Sequence, residues 1–168
     1  MRNPLDIIVS EFNLHLTATH NKNVEGNISK EFPEQWDWFV QRDIKTWHDF
    51  NEYWIRMAQD AKNSGKGIPV YFFRFEDLVA NPYQIAKEVM AFVLGVTSIQ
   101  GTYLDHRIRQ VISQGASSSV LYKPRSGSVN GNIGAYTESQ LELIKKSCKD
   151  QLHFFGYTTK KNTGALMS

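Results

Sequence analysis

Ile68-Pro69-Val70-Tyr71-Phe72-Phe73-Arg74-Phe75 is an apolar run rich in β-branched and aromatic residues, and it is too short for an ordinary helix. Such a run suits a strand buried on both faces of a parallel sheet, where no alternation with polar residues is needed. Its flanks fit that reading. Upstream, Trp36, Val40, Ile44, Trp47, Phe50, Trp54 and Met57 keep to steps of three and four, which predicts a long amphipathic helix over 34–62. Asn63-Ser64-Gly65-Lys66-Gly67 then breaks the chain with a turn. Downstream, Glu76-Asp77 sits at the carboxyl end of the strand. Asn81-Pro82 opens a further helix with Ile85, Val89, Phe92 and Val93 facing inward, and Gly95 stops it. Helix, strand and helix in succession predict an α/β domain with a parallel sheet flanked by helices. One strand makes no sheet, so the partner strands are expected to be missing from this chain or to lie upstream of it.

Outward from this centre the pattern is helical. Pro4 suits a first helical turn, and Leu5, Ile8, Phe12 and Leu16 predict an amphipathic helix over 4–18. Residues 19–33 are polar and turn-rich and read as a loop carrying one glycosylation sequon, Asn27-Ile28-Ser29. Residues 99–114 read as helix, and 115–137 as a long Gly/Ser-rich loop of the kind that in compact domains is often functional. Thr137 and Gln140 form a capping box for a last helix over 138–152, with Leu141, Ile144, Cys148 and Leu152 inward. Residues 158–168 have no periodicity and read as a flexible tail. The expected organisation is therefore 1–157 as the portion of a single domain, followed by that tail.

Composition excludes several classes. With 19 Lys and Arg against 17 Asp and Glu, the net charge of +2 gives no footprint for nucleic acid. The single cysteine, Cys148, precludes an intrachain disulfide and a multi-cysteine zinc cage. No run of about 18 apolar residues is present to span a bilayer. Residues 1–20 lack the apolar core and cleavage site of a signal peptide. There is no G-x-S-x-G elbow, H-E-x-x-H, C-x-x-C or EF-hand loop, and the five histidines (His15, His20, His48, His106 and His153) are scattered. No catalytic residue and no metal ligand is assigned.

Phosphate binding has better support. Arg2 and Ser10, the latter in the second to third turn of the first helix, offer one guanidinium fork and one hydroxyl that can converge on a single phosphate. Arg125 and Gly127 in the long loop can bring a second guanidinium and close backbone N–H groups to the same anion. Lys123-Pro124-Arg125-Ser126-Gly127-Ser128 has the look of a P-loop but fails its context, because Val129-Asn130-Gly131-Asn132 starts no helix.

Taken in order, these pieces resemble the C-terminal half of a sulfotransferase that uses PAPS (3′-phosphoadenosine 5′-phosphosulfate). Arg2-Asn3-Pro4-Leu5-Asp6-Ile7-Ile8-Val9-Ser10 is similar to that family's R-N-P-x-D-x-x-x-S segment, whose Arg and Ser hold the 3′-phosphate. The tryptophan-rich helix resembles its W-x-x-(H/F)-V stretch, and Phe75-Glu76-Asp77-Leu78 with Asn81-Pro82 resembles its Y-E-D-L-x-x-N-P. Arg125-Ser126-Gly127, followed by Tyr136-Thr137, resembles the R-K-G…F-T element that closes over the 3′-phosphate. The likeness covers 2–157. It implies a P-loop-NTPase-like sulfotransferase fold whose N-terminal strand–loop–helix is missing here. It also implies cofactor contacts at Arg2, Ser10, Phe75, Arg125, Ser126 and Gly127.

The departures are specific. Phe75 stands where the family has a tyrosine near the adenine, and Ser126 where it has a lysine. The family's lysine-bearing 5′-phosphosulfate loop and its catalytic histidine are not among these residues. Glu11-Phe12-Asn13 and the 19–33 loop resemble membrane-anchored, WSC-domain-associated members. The resemblance thus implies a sulfotransferase fragment that moves a sulfuryl group from PAPS to a hydroxyl or amine. The acceptor is a small molecule or a glycan, and this chain supplies the 3′-phosphate clamp. Such a chain would bind PAPS or adenosine 3′,5′-bisphosphate, use no metal, and be inactive alone. The alternative is a catalytically inactive, truncated sulfotransferase-like protein with a structural or binding role. The compartment is the cytoplasm by default, or the Golgi lumen if an anchor precedes the chain, and oligomerisation stays open.

Overall fold

A 32-residue helix, α3 (Pro33–Ser64), organises most of the chain. The computed structural model describes residues 1–19, 24, 26–115 and 131–157. The other helices among the described residues are, in chain order, α1 (Pro4–Thr17), α2 (Ile28–Glu31), α4 (Phe75–Ala80), α5 (Pro82–Leu94), α6 (Tyr103–Gly115), a 3-10 turn at Ile133–Ala135, α7 (Glu138–Ser147) and α8 (Lys149–Phe154). The chain divides into two units, one of Arg2–Val70 with Val129–Ser168, the other of Met1 with Tyr71–Ser128.

In the first unit α1, α7 and α8 pack on α3. The buried positions of α3 are Trp36, Phe39, Val40, Ile44, Trp47, Asn51 and Ile55, a stripe at helical period. Phe50, expected on that stripe, is 60% exposed. A step of four from Trp47 reaches Asn51, and that residue takes the inward place. Phe12 of α1 sits edge-on to Trp36 and Phe39, with centroids 5.0 and 5.1 Å away. Gly65 ends α3 at φ 64°, a left-handed conformation that glycine adopts without a Cβ penalty. The capping box at Thr137 and Gln140 forms as expected. The helix after it does not run through to 152, because Cys148 leaves helical geometry at φ −116° and separates α7 from α8.

Cys148 is fully buried, and that burial is the main reason its thiol is pushed up to about 12, with the Asp49 charge adding to it. Only the thiolate reacts, so iodoacetamide at pH 8 should leave the native protein unlabelled and label it fully in denaturant. Rapid labelling without denaturant, read by mass spectrometry, would show that the α7–α8 junction opens.

The second unit contains α4, α5 and α6. Asp105 clasps α5 to α6: its Oδ1 accepts from the Tyr83 hydroxyl at 2.5 Å and its Oδ2 from the Gly101 N–H at 2.9 Å. Arg109 stacks over the Tyr83 ring, 4.3 Å from its centroid. The Tyr83 bond, and after it the Gly101 N–H, hold the Asp105 carboxyl below the usual carboxylate range. Gly95 closes α5 with its N–H on Phe92 and Ala91 carbonyls.

The predicted α/β fold, a parallel sheet of P-loop-like kind flanked by helices, is not what these residues form. Among the described residues there is no strand, and 74% of them are helical. Residues 68–74 run without regular structure into α4, whose first turn holds Glu76 and Asp77. The Met1 ammonium donates to the Phe73 carbonyl at 2.9 Å, and the Phe75 N–H donates to the Met1 carbonyl at 2.5 Å. Those two bonds flank Arg74, and no strand is formed there. The physical reason is that apolar composition makes a segment suited to a strand, whereas a strand exists only when a partner supplies its hydrogen bonds. The inward face expected for α5 fails likewise: the helix buries no residue, and Phe92 and Val93 are 40% and 69% exposed.

Candidate functional site

Asn3 and Pro4 start α1. The Asn3 side-chain oxygen accepts from the Leu5 N–H at 2.9 Å, and Pro4 occupies the first turn, where a missing N–H costs nothing. The helix then carries a polar line at steps of three and four, Asn3, Asp6, Ser10 and Asn13, along an otherwise apolar cylinder. Three of the four are buried and bonded. Asn3 caps, Asp6 accepts from Asn132, and Asn13 accepts from the Val24 N–H at 2.7 Å while donating to the Val9 carbonyl at 2.9 Å. The hydroxyl of Ser10, half-buried in the same line, makes no side-chain hydrogen bond among the described residues.

Arg2 directly precedes the Asn3 N-cap of this helix, and its carbonyl accepts from the Trp47 indole N–H of α3 at 3.1 Å. Helix geometry puts Ser10 on the face of the Asn3 cap, about 10 Å along the axis. The first unit thus carries both Arg2 and Ser10 on α1 and its lead-in. Phe75 is the first residue of α4 in the other unit. Arg125, Ser126 and Gly127 lie outside the described residues.

A set of contacts that the sequence did not disclose ties the chain after that loop to α1. Asp6 Oδ1 accepts from the Asn132 backbone N–H at 3.2 Å and from its side-chain amide at 3.0 Å. The Tyr136 hydroxyl donates to the Leu5 carbonyl at 2.9 Å, and the Trp36 indole donates to the Ala135 carbonyl at 2.9 Å. Residues 132–136 are therefore fastened to the first turn of α1 and to α3 at four points. Burial pushes the Tyr136 hydroxyl well above its ordinary value, so it stays a donor. The one available signal was Asp6 itself, a carboxylate on a helix whose neighbours Leu5, Ile8 and Val9 are core.

This arrangement agrees with what comparison shows: the family model for the sulfotransferase domain matches residues 1–156. The chain belongs to the sulfotransferase domain family. No curated protein and no solved structure matches it. Transferase chemistry is what the family supplies, and α1 with its polar line is the candidate site. A cleft of about 350 Å³ opens beside it against Val9, Asn13, Ile28 and Gly134. Among the described residues its walls carry no charged side chain. Among the described residues no three of His, Cys, Asp or Glu gather as metal ligands, and no helix is long and apolar enough to cross a membrane.

Proposed function

We propose that this sulfotransferase domain takes PAPS as its donor and that its residues form the clamp on the nucleotide's 3′-phosphate. Arg2 and Arg125 supply guanidinium forks, Ser10 supplies a hydroxyl, Ser126 and Gly127 supply backbone N–H groups, and Phe75 supplies an apolar face to the adenine. The acceptor is a hydroxyl or amine on a small molecule or a glycan. Sulfuryl transfer is an in-line displacement between oxygens, so holding the donor in place is a large share of catalysis. The clamp performs no bond-making itself.

The observation that carries this reading is the fastening of Asn132 and Tyr136 to Asp6 and Leu5. Asp6 and Leu5 in turn follow Arg2 by four and three residues. Ser10, an unbonded hydroxyl in a line of satisfied polar groups, adds a donor where a phosphate oxygen is expected.

Titration calorimetry with adenosine 3′,5′-bisphosphate and with adenosine 5′-monophosphate tests the reading on the full chain. The 3′,5′-bisphosphate should bind at least about tenfold more tightly, because charge-assisted contacts are worth about 1.5–3 kcal/mol each. Equal affinity for the two nucleotides would remove the clamp.

A further inference from the structure

The Arg2 carbonyl lies outside α1, whose first accepting carbonyl is that of Asn3. An indole N–H from a residue 45 positions away donates to it. Trp47 is 7% exposed and sits on the buried stripe of α3, which the edge-on contacts of Phe12 with Trp36 and Phe39 lock against α1. An indole is donor-only and turns about just two torsions, so the bond fixes the Arg2 peptide plane at one orientation. On the other side the Asn3 cap and Pro4 fix the same stretch. The backbone from which the Arg2 guanidinium projects is held from both ends.

We infer that Trp47 is a positioning residue for the 3′-phosphate clamp, setting the Arg2 backbone through its indole N–H before the nucleotide arrives. This rests on the reading of Arg2 given above. Pre-setting the backbone spares the ordering cost that a freely turning arginine would meet on binding. The bond reaches the clamp at Arg2, so the effect is expected at the 3′-phosphate.

The test is Trp47→Phe in the full chain, which keeps an aromatic ring and deletes the N–H. Affinity for adenosine 3′,5′-bisphosphate should fall about three- to tenfold, with affinity for adenosine 5′-monophosphate unchanged. A merely structural role would weaken both nucleotides together and lower the melting temperature. Arg2→Ala is measured beside it. If Arg2→Ala abolishes the 3′-phosphate preference and Trp47→Phe leaves it intact, the positioning role is wrong and the clamp stands. If neither variant moves the preference, Arg2 is not in the clamp and both statements fall. Should Trp47→Phe not fold, the Trp47 indole N–H resonance of the unaltered protein gives the answer. It should shift on adding adenosine 3′,5′-bisphosphate and stay still with the 5′-monophosphate, and a resonance indifferent to both overturns the inference.

Discussion

Trp36→Ala should destabilise the unit built on α3 by about 3–5 kcal/mol, the usual cost of truncating a buried large aromatic. Trp36 is 1% exposed, and its ring lies 5.0 Å from Phe12 and 5.2 Å from Tyr136. It therefore joins α1, α3 and the segment that precedes α7. Deleting it opens a cavity among all three and leaves the Ala135 carbonyl without its indole donor. Against a typical total of about 5–15 kcal/mol, that loss is large enough to move the denaturation midpoint far. Urea unfolding followed by circular dichroism measures it, and Trp36→Phe should keep more than half of the stability lost by the alanine. A midpoint for Trp36→Ala close to that of the unaltered protein would mean that residues 132–136 are not fastened as described.

Arg125→Ala should weaken adenosine 3′,5′-bisphosphate at least about tenfold, since it removes one charge-assisted fork from a dianion. Ser126 stands where resemblance would have a lysine, so in the proposed clamp Arg125 and Arg2 are the residues assigned the positive charge. Arg2→Ala should cost a similar factor. If both guanidinium groups serve one phosphate, as proposed, their effects should not add independently, and the double variant should lose less than the product of the two factors. Calorimetry showing unchanged affinity for Arg125→Ala would take that residue out of the site.

The features that were legible in the sequence are local ones. Pro4 and the apolar steps of α1, the Thr137–Gln140 capping box and the stop at Gly95 each depend on residues within a turn or two, and the structure has all three. The sheet was not legible in that way. Residues 68–75 have strand composition, but pairing is decided by distant chain, and among the described residues no ladder forms. The interior of α3 shows a smaller version of the same limit. Periodicity marks the stripe, but whether Phe50 or Asn51 turns inward depends on what packs there, and the structure chooses the polar residue. At the candidate site, Arg2 and Ser10 could be picked out by residue type and spacing. The bonds from Asn132 and Tyr136 to the first turn of α1 span 126 and 131 residues and left no local trace. Nor did the Trp47 indole, whose tryptophan spacing reads only as core.

The most direct measurement is a crystal structure of the chain with adenosine 3′,5′-bisphosphate bound. The Arg2 and Arg125 guanidinium groups and the Ser10 hydroxyl are predicted to lie within about 2.7–3.0 Å of oxygens of the same 3′-phosphate. A complex in which that phosphate faces solvent, or in which the two arginines point to opposite sides of it with neither in reach, would contradict the account.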